Sequence, residues 1–398
     1  MTQQRKTRVA VVFGGRSTEH AVSCIGAGNI LSAIDRDKYE VVPVGITTDG
    51  RWVLAQDDPA RLAITDGRMP SVEKVAAEPP AGAAPAGAGA APATRPGPRA
   101  PGLAVSGPSQ VPDILGSVDV VLPLLHGAYG EDGTIQGMLE LAGIRYAGAG
   151  VLASAAGMDK EFMKLIFKAR GLPVGPYVVV RDRDWRPARA LSSSEPRPPA
   201  MAERKPVLDE ITELGWPLFV KPARGGSSIG TSKAADIGEL YEAIDNAREH
   251  DPKVIVEAAI AGMEIECAVL EGLDGGPPDT SVPGQVRVNG GEAFYDFQAK
   301  YLDAATDMVI PAPVPDAAAS EVRRLSAAAF EAVGCEGLAR VDCFYTPDGQ
   351  VVVNEINTMP GVTSGSGFPL MWEATGLPLP QLVDRILQTA LRRPEGLR

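Results

Sequence analysis

The sequence predicts an α/β domain built on a parallel sheet, followed by one or two α+β domains. Three observations predict it. Residues 8–13 (RVAVVF) are a β-branched apolar run that stops at Gly14-Gly15, as a strand covered on both faces does. A helical pattern over 21–34 separates it from a second strand, Glu40 to Ile46, and a third spans Val118 to Leu125; alternating strands and helices specify a parallel sheet. From Met158 the pattern changes to mixed elements. A basic helix over Asp159 to Arg170 stops at Gly171 with Pro173 beyond it, and strand-like segments follow at 217–221, 253–257, 264–270, 338–345 and 350–354.

A chain of 398 residues exceeds what one core supports, so three units are expected: 1–150, 151–260 and 261–398. Residues 76–110 are nearly all Ala, Pro and Gly and have little to bury against their ordering entropy. They read as a surface insertion, as does the Arg-, Pro- and Ser-rich stretch 182–206. The apolar fraction of 44% and charged fraction of 22% are those of an ordinary globular protein. No apolar run approaches the ~20 residues that cross a bilayer. The apolar stretch near the N-terminus is too short for a signal peptide, so a cytoplasmic protein without a membrane partner is expected. A net charge of −12 argues against a nucleic-acid partner, although local lysines can still hold a nucleotide. The four cysteines form no CxxC pair and read as buried reduced thiols.

Four motifs carry chemistry. In Lys221-Pro222-Ala223-Arg224-Gly225-Gly226-Ser227-Ser228-Ile229-Gly230 a strand delivers a lysine to a loop whose N–H groups and hydroxyls suit phosphate oxygens. The lysine precedes the glycines, so this is not a Walker A loop, and a plain surface loop is the competing reading. Arg340-Val341-Asp342 and Glu355-Ile356-Asn357 lie on two strands joined by the turn Pro347-Asp348-Gly349. Alternation puts their polar residues on one face, where hard oxygen donors suit Mg²⁺; a solvated hairpin face is the alternative. His126-Gly127-Ala128-Tyr129-Gly130-Glu131-Asp132-Gly133-Thr134 follows a buried strand, as does Gly14-Gly15-Arg16-Ser17-Thr18-Glu19-His20, and loops at such strand ends build ligand sites. With three histidines in the chain, His126 stands out, though a lone histidine is more often structural. Glu257 and Glu264, around a turn, are a weaker signal for a base and its ribose.

Taken in order, GGRSTEHAVS, HGAYGEDGTIQGMLE, GMDKEFMK, FVKPARGGSSIG, VEAAIAGMEIE, AKYLD, ARVDCF and NEINTMPGVTSGSGFP resemble the D-alanine–D-alanine ligases over nearly the whole chain apart from the two insertions. The resemblance implies an ATP-grasp fold behind an N-terminal α/β domain. It also implies an acyl-phosphate mechanism in which ATP activates one D-alanine and the amine of a second attacks it. By the same resemblance Lys160, Lys221, Ser227, Ser228 and Lys300 would meet ATP phosphates, Glu257 and Ile260 the adenine, and Glu264 the ribose. Asp342, Glu355 and Asn357 would hold two Mg²⁺ ions, with Mn²⁺ as a substitute. Arg340, with Gly361, would stabilise the oxyanion; Glu19 would take the ammonium of the first D-alanine, His126 its carboxylate, and Ser366 the carboxylate of the second. Ser227 and Tyr301 match a hydrogen-bonded set with Glu19, residues 294–316 match a lid, and a homodimer is implied. Ala258 departs from the lysine that many relatives carry beside the adenine-binding glutamate.

Three other readings compete. One is a ligase that uses D-lactate or another amino acid, against which the Tyr301 lid and the Glu19 and Ser366 positions argue. Another is a nucleotide-binding sensor without turnover, which would lack a metal ligand or a phosphate lysine; none is missing. The last is a dinucleotide-dependent oxidoreductase, whose glycine fingerprint is not present after the first strand.

Overall fold

A computed structural model describes residues 5–65, 67–75, 115, 117–185, 205–288 and 306–394. The insertion expected at 76–110, most of that at 182–206, and Lys300 and Tyr301 lie outside these residues.

The chain opens with β1 (Thr7–Gly14), α1 (His20–Ala33), β2 (Tyr39–Ile46), β3 (Trp52–Leu54) and β4 (Val120–Pro123). These strands form a four-stranded sheet in the order β3-β2-β1-β4. β1 runs parallel to both neighbours, and its residues 9–14 are all buried, which explains the unbroken apolar run. β1 turns away at Gly14, whose φ of +89° and approach to Ile46 O leave no room for a side chain: a Cβ would sit 2.3 Å from that oxygen. Helices α2 (Thr134–Leu141), α3 (Val151–Met158) and α4 (Lys160–Ala169) follow. Asp159 caps α4, accepting from the N–H groups of Glu161 and Phe162.

The second sheet comprises β5 (Tyr177–Arg181), β6 (Leu218–Pro222), β7 (Ser232–Ala234) and β8 (Lys253–Ala258), in the order β5-β8-β6-β7 and antiparallel throughout. Helices α5 (Lys205–Glu213) and α6 (Ile237–His250) belong to this unit. Leu240 and Ile244 of α6 join Val180, Leu218, Val220 and Val254 in one core. The third sheet has six strands: β9 (Met263–Leu270), β10 (Asp279–Thr280), β11 (Gly284–Val288), β12 (Thr306–Val309), β13 (Leu338–Tyr345) and β14 (Val351–Asn357). Its order is β12-β11-β9-β13-β14, with β10 also on β9. Helix α7 (Asp316–Ala332) covers one face, burying Val322, Leu325, Ala329 and Phe330. Helices α8 (Gly367–Ala374) and α9 (Leu379–Arg392) close the chain.

The first and third sheets share a core. Val9, Val11, Phe13 and Ile30 pack in one cluster with Phe368, Met371, Leu382, Ile386 and Leu387. The N-terminal strand ends and the β13–β14 hairpin are thereby held to a common frame, while the second sheet keeps a core of its own. Arg393 reinforces the joint: it is 6% exposed, donates to Gly148 O at 2.7 Å and pairs with Glu271 at 2.7 Å. All four cysteines are buried and unpaired, as their spacing suggested, and burial raises the thiols of Cys24 and Cys267 to about 12 and about 11.

The long strands stand close to where the residues placed them. The strand expected over 118–125 is confined to Val120–Pro123, although the Leu124 N–H still donates to Val12 O of β1 at 2.8 Å. β3, β5, β7 and β10–β12 were not expected. Most are short or lie at a sheet edge, where a few residues carry too little pattern to mark a strand without the neighbour they bond to. Arg393→Ala removes the cation paired with Glu271 and the bond to Gly148 O, and should lower stability by about 2 kcal/mol. A urea titration checks it, and an unchanged midpoint would show that the joint does not depend on this side chain.

Candidate active site

A cavity of ≈720 Å³ lies where the three sheets meet, and every expected site residue within the described part of the chain lines it. Those residues are Glu19, His126, Lys160, Lys221, Ser227, Ser228, Glu257, Ile260, Glu264, Arg340, Asp342, Glu355, Asn357, Gly361 and Ser366.

The second sheet and α4 supply the lysines. Lys221 leaves β6 with its ammonium 2.6 Å from Glu257 Oε2, and Lys160, at the start of α4, reaches Glu355 Oε2 at 3.2 Å and Gly225 O at 3.0 Å. The loop after β6 is strained: Ser227 and Ser228 sit at φ +48° and +59°, the left-handed region that non-glycine residues rarely adopt. That conformation brings the Ser227 hydroxyl to donate to the Glu19 carboxylate, joining the second sheet to the start of α1. Glycines crowd Glu19 on both sides, and Gly127 also needs its positive φ of +70°. A Cβ on either Gly226 or Gly127 would lie 3.0 Å from its Oε2.

The β13–β14 hairpin supplies the oxygen donors. Arg340 faces Asn357 and Asp342 faces Glu355 across the pair, before a bulge after Asp342 shifts the register. On the other side of β13, Glu266 of β9 faces Asp342, so three carboxylates from adjacent strands share a row. Arg340 holds Asp342 through two bonds of 2.7 Å and comes within 3.3 Å of Glu266, while the Asn357 amide donates to Asp342 at 3.2 Å. Asp342, Glu355 and Asn357 offer two carboxylates and an amide, an open set of hard oxygen donors. That set fits Mg²⁺, which takes the rest of its shell from phosphates and water. Ser366 precedes α8, with its hydroxyl 2.7 Å from that of Thr363 and close to the Gly361 backbone.

Residues 8–149 match the profile of the D-ala D-ala ligase N-terminus, and residues 166–388 that of the D-ala D-ala ligase C-terminus. The chain is 54% identical over 394 residues to a D-alanine–D-alanine ligase of Streptomyces avermitilis, covering 99% of this chain and 96% of that one. The chain belongs to the D-alanine–D-alanine ligase family. A D-alanine–D-alanine ligase of Mycobacterium sp. is 52% identical over 402 residues, covering all of both chains. Among solved structures, the D-alanine–D-alanine ligase of Coxiella burnetii aligns with TM-score 0.69 and 30% identity over 97% of this chain and 94% of that one. A D-Ala:D-Ser ligase of Enterococcus faecalis aligns with TM-score 0.72 and 29% identity, over 97% of this chain and 100% of that one. The ATP-grasp fold of these ligases is therefore the fold of this chain, and membership makes it an ATP-dependent, ADP-forming ligase that works with a divalent metal.

In this ligase several cavity residues have no role carried over from the sequence. Lys164, four residues after Lys160, is 2% exposed, with its ammonium 2.8 Å from Glu257 Oε1. The i, i+4 spacing on one helix face was the signal that could have found it. Glu266 stands two residues from Glu264, on the same strand face by the same alternation that joined Arg340 to Asp342. Glu131 lies inside the His126 motif; it accepts from Gly127 N at 2.7 Å and Met359 N at 3.3 Å. His20, by contrast, is structural: Val72 N–H donates to its Nε2, so Nδ1 carries the proton toward Gly15 O.

Burial and like charge tune the far end of the cavity. His126 Nδ1 lies 3.0 Å from Met359 O, an acceptor, so that nitrogen carries the proton, and the buried Nε2 has no partner among the described residues. Burial lowers the imidazole, with Glu19 opposing, and the ring is neutral near pH 7 in the ligand-free ligase. Burial, then the neighbouring Glu19 charge, pushes the Glu131 carboxyl up to about 8. A raised carboxyl keeps its proton in the fold after the unfolded chain has lost it. The stability it contributes is full below about pH 4.5 and is lost as pH rises toward 8. Glu131→Gln mimics the protonated form, so unfolding midpoints from about pH 5 to 8 should decline less steeply in the variant than in the wild type. Parallel slopes would mean that the buried carboxyl is ionised throughout.

Proposed function

We propose that the protein joins two D-alanines to D-alanyl-D-alanine with cleavage of ATP to ADP and phosphate, for peptidoglycan synthesis in the cytoplasm. What carries the reading is that one cavity unites the phosphate lysines, the carboxylates for base and ribose, the oxygen donors for metal and the Glu19–His126–Ser366 end. ATP would lie between the second and third sheets, with adenine at Glu257 and Ile260, ribose at Glu264, and phosphates at Lys160, Lys221, Ser227 and Ser228. Lys300, outside the described residues, would reach the γ-phosphate. Asp342, Glu355 and Asn357 would hold two Mg²⁺ ions, or Mn²⁺ in their place, which neutralise phosphate charge.

Glu19 would bind the ammonium of the first D-alanine. Its carboxylate would lie against His126, whose unpartnered Nε2 must gain a proton to donate to an anion. Phosphoryl transfer gives the acyl phosphate and ADP, and catalysis there is mainly positioning and charge neutralisation. The amine of the second D-alanine, held through its carboxylate by Ser366, would attack the acyl carbon. Arg340 and the Gly361 N–H would stabilise the oxyanion until phosphate leaves. Residues 294–316, with Tyr301 bonded into the Glu19–Ser227 set, would form the lid that keeps water from the acyl phosphate. The three units would divide near residues 150 and 260.

Phosphate release should require D-alanine, and mass analysis should identify D-alanyl-D-alanine; incorporation of D-lactate or D-serine instead would move the second-site assignment. Lys221→Ala and Glu355→Ala should each lower kcat/KM by about 10²-fold or more with the fold retained. Wild-type rates in either variant would overturn its assignment. A homodimer is also proposed, because α2 and α3 leave Leu141 and Leu152 93% and 72% exposed. Sedimentation equilibrium should give twice the chain mass, and a monomer at micromolar concentration would refute it.

A further inference from the structure

Glu257 is a buried carboxylate held by two cations that differ in their freedom. Lys221 reaches it from β6 at 2.6 Å with a side chain 19% exposed to the cavity, and Lys164 reaches it from α4 at 2.8 Å with a side chain 3% exposed. Lys164 also donates to Asn354 O of β14 at 3.2 Å, and its ammonium lies 5.9 Å from the centre of the Tyr177 ring. It is thus fixed between α4, β8, β14 and β5, while Lys221 is free on the cavity side. The proposed function gives Lys221 to the ATP phosphates. A lysine that turns to phosphate leaves Glu257, and a buried carboxylate without a cation takes up a proton or swings away.

We propose that Lys164 is the positioning residue for nucleotide recognition, the fixed counter-ion that keeps Glu257 aimed at the adenine amino group once Lys221 has turned to the phosphates. This rests on the reading of Glu257 as the adenine-binding group. An ionised carboxylate is an acceptor only, which suits the N–H donors of a 6-amino purine and repels the oxygen of a 6-oxo purine. Burial alone would raise the Glu257 carboxyl, but Lys221 and Lys164 outweigh it and hold the group well below the usual carboxylate range. Lys164 also ties β8, which carries the base-binding carboxylate, to β14, which carries the expected metal ligands Glu355 and Asn357.

The test compares wild type, Lys164→Met, Glu257→Gln and the double variant, with ATP and ITP as nucleotides in D-alanine-dependent phosphate release. Lys164→Met should raise KM for ATP about tenfold and KM for ITP much less, so that the ATP:ITP preference falls about tenfold, with the effect in KM more than in kcat. A merely structural lysine would lower the melting temperature and kcat but leave the ATP:ITP ratio where it was, and that result would overturn the proposal. Should Lys164→Met not fold, the double variant keeps the question answerable, since it removes both charges. If Lys164 acts through Glu257, the double variant should match Glu257→Gln in nucleotide preference; a further loss beyond that single variant would refute the coupling. Glu257→Gln on its own tests the underlying reading: an unchanged ATP:ITP ratio there would mean that Glu257 does not meet the base.

Discussion

Charge withdrawn from water must be matched by opposite charge, and this requirement organises the ligand-free cavity. The groups that ATP, metal and D-alanine call for are lysines, an arginine and carboxylates, collected in a volume shielded by three sheets. Without ligands they pair with one another: Lys221 with Glu257, Lys160 with Glu355, and Arg340 with Asp342. Each pair sets a group expected to meet phosphate or an oxyanion against one expected to meet the base or a metal ion. Ligand binding is then an exchange of partners, in which no charge need be stranded. Cations outside the exchange, such as Lys164, keep the geometry while the others move.

The frame that permits this is divided. The N-terminal sheet and the C-terminal helices share one core, so Glu19, His126 and the β13–β14 hairpin are fixed to the same body. The second sheet has a separate core and carries Lys221, Ser227 and Glu257. Across that division runs the Ser227–Glu19 hydrogen bond, donated by the first of two successive serines in left-handed backbone. Strain of order 1–3 kcal/mol per residue persists only where surroundings over-determine it, and here the compensation is contact between the two bodies at the substrate end.

Much of the site was legible because its residues lie at regular spacings on recognisable elements. Alternation placed Arg340 with Asp342 and Glu355 with Asn357, and the turn at Pro347-Asp348-Gly349 made the two strands a hairpin. Lys164, Glu131 and Glu266 escaped, although each stands within five residues of one that was found. Their significance comes from what faces them: Lys164 matters because β8 sets Glu257 against it, and Glu266 because β9 pairs with β13. Edge strands such as β3 and β7 escaped for the same reason, since three residues carry too little pattern to define a strand without the neighbour they bond to.

The sequence by itself determined the fold class, the long strands and the types of chemistry present. Apolar periodicity, glycine at turns and the order of the motifs are properties of adjacent residues, and short-range physics is enough to interpret them. Tertiary structure alone decided the partners: that Glu257 is shared by two lysines, that His126 Nε2 finds no partner among the described residues, and that Glu131 holds a proton well above the ordinary range. Each of these follows from desolvation and from charges brought near by chain segments up to hundreds of residues apart, and neither quantity exists until the chain has folded.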